Sequence, residues 1–333
     1  MGLATFRGGV HPFEGKELSM DRAVTVLKPT SGEMVYPLSQ HIGAPAKAIV
    51  KVGDEVLVGQ KIAEAGGFIS AVVVSSVSGK VKKIEPRVTA GGAKSISIVI
   101  ENDGLYTAVE GLGEDRDATK LSKQEIRDIV REAGIVGLGG AGFPTNVKLT
   151  PKDESKIDYV IVNGAECEPY LTCDYRMMIE EPERLVGGLK VMLQLFENAK
   201  AVIGIENNKP KAIEKLRALV KDEPKITVEP LRTKYPQGGE RSLIYAVTGR
   251  EINSSMLPAD AGCVVDNVNT VMAIYDAVCK RTPILERVIT VTGDAVKEPQ
   301  NFKVRTGMNY NDIIEAAGGF VGEPKKILSG GPM

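Results

Sequence analysis

The chain has too few histidines, and cysteines too scattered, for most metal and hydrolytic centres. Only His11 and His41 occur in 333 residues, which argues against a His-centred metal site or a Ser/His triad. The four cysteines are Cys167, Cys173, Cys263 and Cys279. None forms a C-x-x-C pair, so there is no zinc knuckle or iron–sulfur run in the sequence. They read as free thiols of a reducing compartment, although Cys167 and Cys173 flank a polar motif. A charge excess is missing as well. Lys and Arg number 42 against 43 Asp and Glu, so no basic field recruits nucleic acid or anionic lipid. No apolar run approaches the ~20 residues of a membrane span. The stretch from Phe6 to Pro12 is too polar and glycine-rich for a secretory signal. These absences predict no metal ligands, no nucleic-acid partner and no direct membrane insertion, so that any membrane link is peripheral. An apolar content of 43% with 26% charge is that of an ordinary globular protein, long enough for two or three domains.

Glycine is abundant, and it is concentrated in Gly137-Leu138-Gly139-Gly140-Ala141-Gly142-Phe143-Pro144-Thr145. Such a loop lets its backbone lie against something flat or charged. Phe143 and Pro144 add a rigid apolar edge. The loop suits a phosphate-bearing aromatic cofactor, but it is not the dinucleotide fingerprint, which directly follows a strand. Here the preceding segment reads as a helix. Ser122 and Glu125 form a capping box, Ile126, Ile129, Val130 and Ala133 follow at helical spacing, and Gly134 is a stop.

The organisation changes along the chain. Residues 1–28 read as an extended arm strapped over another domain. Residues 29–105 carry short strands and glycine turns, and predict a small sandwich similar to biotinyl/lipoyl-type domains. The tip at Gly66–Ser70 has no lysine for a prosthetic group, so the module reads as a scaffold. Residues 118–282 alternate strands and helices, which predicts a parallel sheet with helices on both faces. Residues 283–333 read as a hairpin, a helix over Asn309–Gly318 and a further strand, a β-grasp module. The fold class expected is thus α/β plus small β modules.

Three further polar clusters lie at strand ends or helix starts of the α/β region, where such sheets bind ligands. Asn163-Gly164-Ala165-Glu166-Cys167-Glu168-Pro169 follows a strand. Tyr235-Pro236-Gln237-Gly238-Gly239-Glu240 precedes a helix. Asp266-Asn267-Val268-Asn269-Thr270 opens another, and free N–H groups there suit a phosphate. Each alone reads equally as a polar loop or a cap. Their joint presence with the glycine loop points to one site.

In that order, the glycine loop and the three clusters resemble the RnfC family, a subunit of the Rnf electron-transport complex. That family is related to the flavin- and NADH-binding subunit of respiratory complex I. The likeness covers essentially the whole chain, including the His11-Pro12-x-x-x-Lys16 arm. It implies a barrel-sandwich (lipoyl-like) domain, a Rossmann-like α/β domain binding FMN and NADH, and an SLBB-like β-grasp domain. It implies that Gly137, Gly139 and Gly140 meet FMN, with Lys148 by the flavin or its phosphate. Asn163 and Glu166 would bond the flavin side, and Tyr235 and Glu240 would wall the pocket. Asn267 and Thr270 would hold phosphate or ribityl oxygens, while Phe143 and Glu168 would face NADH. Ala165 and Gly239 stand where the complex I subunit has carboxylates, as in the Rnf branch.

The resemblance further implies hydride exchange between NAD(H) and FMN, with no side chain acting as acid or base. Electrons would pass on to two 4Fe–4S clusters of the full-length protein, held by cysteine runs that lie beyond this chain. The chain is accordingly expected to be a truncated form. Partners would be the other subunits of an ion-translocating complex, on the cytoplasmic face of the membrane. Two alternatives stand beside this reading: a cobalamin reductase of the propanediol-utilisation type, which shares the glycine loop, and a non-catalytic docking module.

Overall fold

A computed structural model describes residues 2–331; Met1, Pro332 and Met333, at the ends of the expected arm and β-grasp segment, lie outside the described residues. The arm runs along the α/β region and ends in β1 (Thr25–Leu27).

Seven strands then build the sandwich: β2 (Glu33–Pro37), β3 (Lys47–Ala48), β4 (Glu55–Val56), β5 (Lys61–Glu64), β6 (Val73–Val74), β7 (Gly79–Val88) and β8 (Lys94–Asn102). They form two sheets, ordered β2-β8-β7-β4 and β3-β5-β6. Between them lie Met34, Tyr36, Ile62, Val77, Ile98 and Ile100, all buried. The inward residues alternate along β2 and β8, as the two-residue period of a strand requires.

The α/β region begins with α1 (Lys123–Glu132), whose Ser122–Glu125 capping box forms as the sequence predicts. Gly134 closes it at φ +69°, a conformation costly for any residue with a Cβ. The glycine loop and a short α2 (Thr145–Lys148) follow. Next come β9 (Tyr159–Gly164), α3 (Cys173–Glu180), α4 (Pro182–Leu195), β10 (Lys200–Glu206), α5 (Pro210–Leu219), β11 (Ile226–Leu231), α6 (Glu240–Thr248), β12 (Cys263–Asn267) and α7 (Val268–Lys280). The four strands are parallel, in the order β11-β10-β9-β12. Successive residues of β9 point to opposite faces. Val160 and Val162 join Leu185, Leu189 and Val271 of α4 and α7, while Ile161 packs with Leu243 and Ile244 of α6. Helices therefore cover both faces, as expected. Three elements of this region were not expected, the short α2, β12 and α3. β12 offers only Cys263, Val264 and Val265 ahead of polar residues, and α3 starts without a side-chain cap.

The last module pairs β13 (Glu286–Val291) antiparallel with β14 (Gln300–Arg305), under α8 (Tyr310–Ala316). Its third strand differs from the sequence expectation. Among the described residues no strand follows α8. The third strand is β1 of the arm, parallel to β14 through Thr25–Phe302 and Leu27–Val304. After α8 the chain carries Gly318, Gly319 and Gly322 at positive φ and then Pro324, which cannot sustain a ladder.

Candidate functional site

The glycine loop is pinned from three directions. Leu138 N donates to Thr270 Oγ1 of α7 at 2.9 Å, and the Leu138 carbonyl accepts from Arg287 of β13. Gly142 lies against Gln40 and His41 of the sandwich, 3.1 Å from where its Cβ would stand. Across the loop, Gly137 N donates to Phe143 O at 2.8 Å. Gly139 faces the Asn267 side chain so closely that a Cβ would come within 2.7 Å of it. Gly140 is open, with nothing within 4 Å of its Cβ direction among the described residues.

The other three clusters gather at the carboxyl edge of the parallel sheet, where the Asp266–Thr270 cluster meets this loop. Lys148 ends α2 and points its ammonium at the end of β12. It donates to Val265 O at 2.8 Å and to Glu240 Oε1 at 3.2 Å, with Asp266 Oδ1 at 3.8 Å. Asn163, near the end of β9, donates to Gly238 O at 2.7 Å. Gly238 N in turn donates to Cys167 Sγ at 3.2 Å. The Tyr235 backbone exchanges two hydrogen bonds of 2.8 Å with Val10 of the arm, and its phenol faces Glu168. Asn163 of β9 also pairs in register with Asn267 of β12, so the Asn163 cluster adjoins both the Tyr235 and the Asp266 clusters, and the glycine loop joins them through Asn267 and Thr270.

Two predicted residues turn inward. Thr270 is fully buried, and its hydroxyl is engaged by Leu138 N. Glu166 is buried at φ +48°, and its Oε1 accepts from the amides of Asp174 and Tyr175 at 2.7 and 3.3 Å. Asn267 caps α7 through Asn269 N at 2.9 Å and donates to Asp174 Oδ2 at 2.6 Å. Asn269 donates to the other oxygen of Asp174, also at 2.6 Å.

Asp174 was missed by sequence reasoning, for it sits in the unpredicted α3. So was Lys209, whose buried ammonium donates to Ala165 O at 2.7 Å. Lys16 belonged to the arm motif but carried no site role. Glu166, Cys173 and Asp174 bring possible ligand atoms within 4.8 Å of one another. Both Asp174 oxygens are already taken by asparagines, and Lys16 stands 4.0 Å from Glu166.

Burial sets the electrostatics. It pushes the Glu166 carboxyl up to about 7, against the pull of Lys16 and Lys209. It raises Asp266 to about 6, although Lys148 opposes the shift. On Lys148 itself burial works against the ammonium, but Asp266 and Glu240 outweigh it and the net shift is upward. Lys209 is lowered by its burial, and the Cys167 thiol is raised to about 11 for the same reason. Burial and the Glu168 carboxylate raise the Tyr235 phenol. Asp266 Oδ1 and Oδ2, Glu166 Oε2, Glu168 Oε2 and Gln237 Nε2 are buried without a hydrogen-bond partner among the described residues. Such a concentration of unmet polar atoms is what a polar ligand would relieve.

Three protein families match the chain: the RnfC barrel sandwich hybrid domain over residues 4–105, the Nuo51 FMN-binding domain over 130–276 and the SLBB domain over 288–333. The chain is 48% identical over 331 residues to a subunit of the proton-translocating ferredoxin:NAD(+) oxidoreductase complex of Clostridium ljungdahlii, covering 99% of this chain and 72% of that one. It is 46% identical over 335 residues to the corresponding subunit of the Na(+)-translocating complex of Acetobacterium woodii, covering 99% and 74%. The equivalent subunit of the ion-translocating oxidoreductase complex of Pseudomonas aeruginosa is 39% identical, with 99% and 43% covered. Among solved structures, an air-oxidized NAD+-reducing [NiFe]-hydrogenase superposes with a TM-score of 0.53 at 25% identity, over 61% of this chain and 40% of that one.

Proposed function

The chain belongs to the RnfC family of subunits of ion-translocating ferredoxin:NAD(+) oxidoreductase complexes, and from that premise we propose that it is the FMN- and NADH-binding electron-transfer subunit of such a complex. The observation that carries this reading is the meeting of the glycine loop with three polar clusters at one sheet edge, where five buried polar atoms lack partners among the described residues. The donor set fits FMN. A loop bare of side chains at Gly140 suits a flat ring. The α7 N-terminus and the Lys148 ammonium favour an anionic phosphate. The unpartnered carboxylate of Asp266 suits ribityl hydroxyl donors.

Bound there, FMN would supply hydride exchange with NADH and one-electron exchange with iron–sulfur centres. Gly137, Gly139 and Gly140 let the backbone approach the flavin, and Lys148 offsets negative charge. Asn163 holds the Gly238 loop beside the ring. Asn267 and Thr270 act by fixing the α7 N-terminus and the glycine loop, and Glu166 by capping α3. Tyr235 and Glu240 wall the pocket, while Phe143 and Glu168 meet the dinucleotide. No side chain transfers a proton in the redox step.

No helix among the described residues is long and apolar enough to cross a membrane. In this reading the other subunits of the complex hold the protein at the cytoplasmic face of the membrane.

Titration of the purified chain with FMN tests this reading. Stoichiometric binding and anaerobic bleaching by NADH are expected. Absence of flavin binding would leave a docking module built from the sandwich and β-grasp surfaces.

A further inference from the structure

Lys16 lies in the N-terminal arm, far in sequence from the site, yet it is only 5% exposed. Its ammonium donates to three main-chain carbonyls of one loop: Glu166 O at 2.8 Å, Glu168 O at 3.1 Å and Leu171 O at 2.6 Å. A lysine ammonium has three N–H donors, and all three are spent here. Two residues of the loop stand in the left-handed region. Glu166 and Tyr170 stand at φ +48° and +67°, a region unfavourable for residues with a Cβ. Around Lys16 the arm makes further contacts with the same region. Tyr170 N donates to Glu14 O at 2.6 Å, Asn208 Nδ2 donates to Glu14 Oε2 at 2.7 Å, and Ser19 shares a 2.7 Å hydrogen bond with Thr172. Upstream, Val10 pairs with Tyr235. The arm therefore ties together the two loops that carry Glu168 and Tyr235.

We propose that Lys16 is a positioning residue for dinucleotide binding: its ammonium gathers three carbonyls of the Glu166–Leu171 loop and so holds Glu168 toward the nicotinamide nucleotide. This rests on the reading that Glu168 meets NADH. A single point of convergence suits an ammonium. The planar fork of arginine spreads its donors too widely, and an apolar side chain leaves the carbonyls buried without partners.

The test uses the FMN-loaded chain and anaerobic flavin bleaching over a series of NADH concentrations. Lys16→Met is expected to keep its FMN and a saturating rate within about threefold of the parent, while half-saturating NADH rises about tenfold or more. Glu180→Ala removes the acceptor for Val24 N of the arm, away from this loop, and leaves both values at those of the parent. Half-saturation within about twofold of the parent in Lys16→Met overturns the proposal. Should that variant fail to fold, Lys16→Arg keeps the charge and is expected to raise half-saturation about threefold; a parental value overturns the proposal. If NADH does not bleach the parent, the reading of the site fails and hydrogen exchange tests the arm alone. Amides of residues 166–175 should then exchange about tenfold faster in either variant, and unchanged exchange overturns the role of Lys16.

Discussion

Lys148 Nζ lies 3.8 Å from Asp266 Oδ1, yet its hydrogen bonds go to Val265 O and Glu240. The 1% exposed Asp266 side chain keeps the ammonium as its nearest counter-charge, with both oxygens unpartnered among the described residues. A buried carboxylate whose oxygens lack hydrogen bonds, beside a half-buried ammonium, is incomplete as a structural ion pair and suited to a ligand that donates to it. The pair links α2 to the end of β12 and so joins the glycine loop to the start of α7.

Removing the ammonium should isolate Asp266. In Lys148→Met the carboxyl is pushed further above its raised value, and the chain loses about 1–3 kcal/mol of stability near pH 8. The deficit shrinks near about pH 5.5, where Asp266 takes up a proton. Urea unfolding at the two pH values measures this, and FMN affinity should fall about tenfold or more in parallel.

The ligand-free chain should itself be more stable in mild acid. Glu166 and Asp266 titrate at about 7 and about 6 when folded, above their ordinary values of 4.5 and 3.8. Groups raised by folding contribute stability that is fully present below the unfolded values and is lost as pH rises through the folded ones. Between about pH 5.5 and 8 the urea midpoint should fall, and the unfolding free energy with it, by an amount on the order of 1 kcal/mol or more. Glu166→Gln should flatten that slope. A midpoint that rises with pH would contradict the burial of these two carboxyls.

Two neighbouring glycines separate structural from ligand effects. A Cβ at Gly139 would stand 2.7 Å from the Asn267 side chain, which is itself tied to Asp174. Gly139→Ala should therefore cost about 1–3 kcal/mol and weaken FMN binding. Gly140→Ala meets nothing within 4 Å among the described residues and should leave the melting temperature unchanged. Its loss of FMN affinity, read by fluorescence titration, would arise from the flavin alone.

Much of this was legible in the sequence where the signal is local. The Ser122–Glu125 box, the apolar runs of β9 and β10 and the glycine loop follow from spacing and composition. The meeting of the Asn163, Tyr235 and Asp266 clusters was also foreseeable, since each ends a strand or opens a helix of one parallel sheet. What was hidden depends on distance along the chain. Thr25–Leu27 gives no sign that it completes a sheet with Phe302 and Val304. The inward turn of Glu166 depends on α3, whose N-cap residue Thr172 spends its hydroxyl on Ser19 and Asn301 rather than on the helix. Lys16 becomes part of the site only because the arm crosses a loop some 150 positions away.

Glu168→Gln should leave folding and FMN binding intact and raise half-saturating NADH about tenfold. Stopped-flow bleaching measures it, and parental values would remove Glu168 from the dinucleotide face.

The most direct measurement is a crystal structure of the chain soaked with FMN. Density for one flavin between the glycine loop and the start of α7, in contact with Gly139, Lys148 and Asn267, is expected. Density at another surface, or none under saturating FMN, would contradict it.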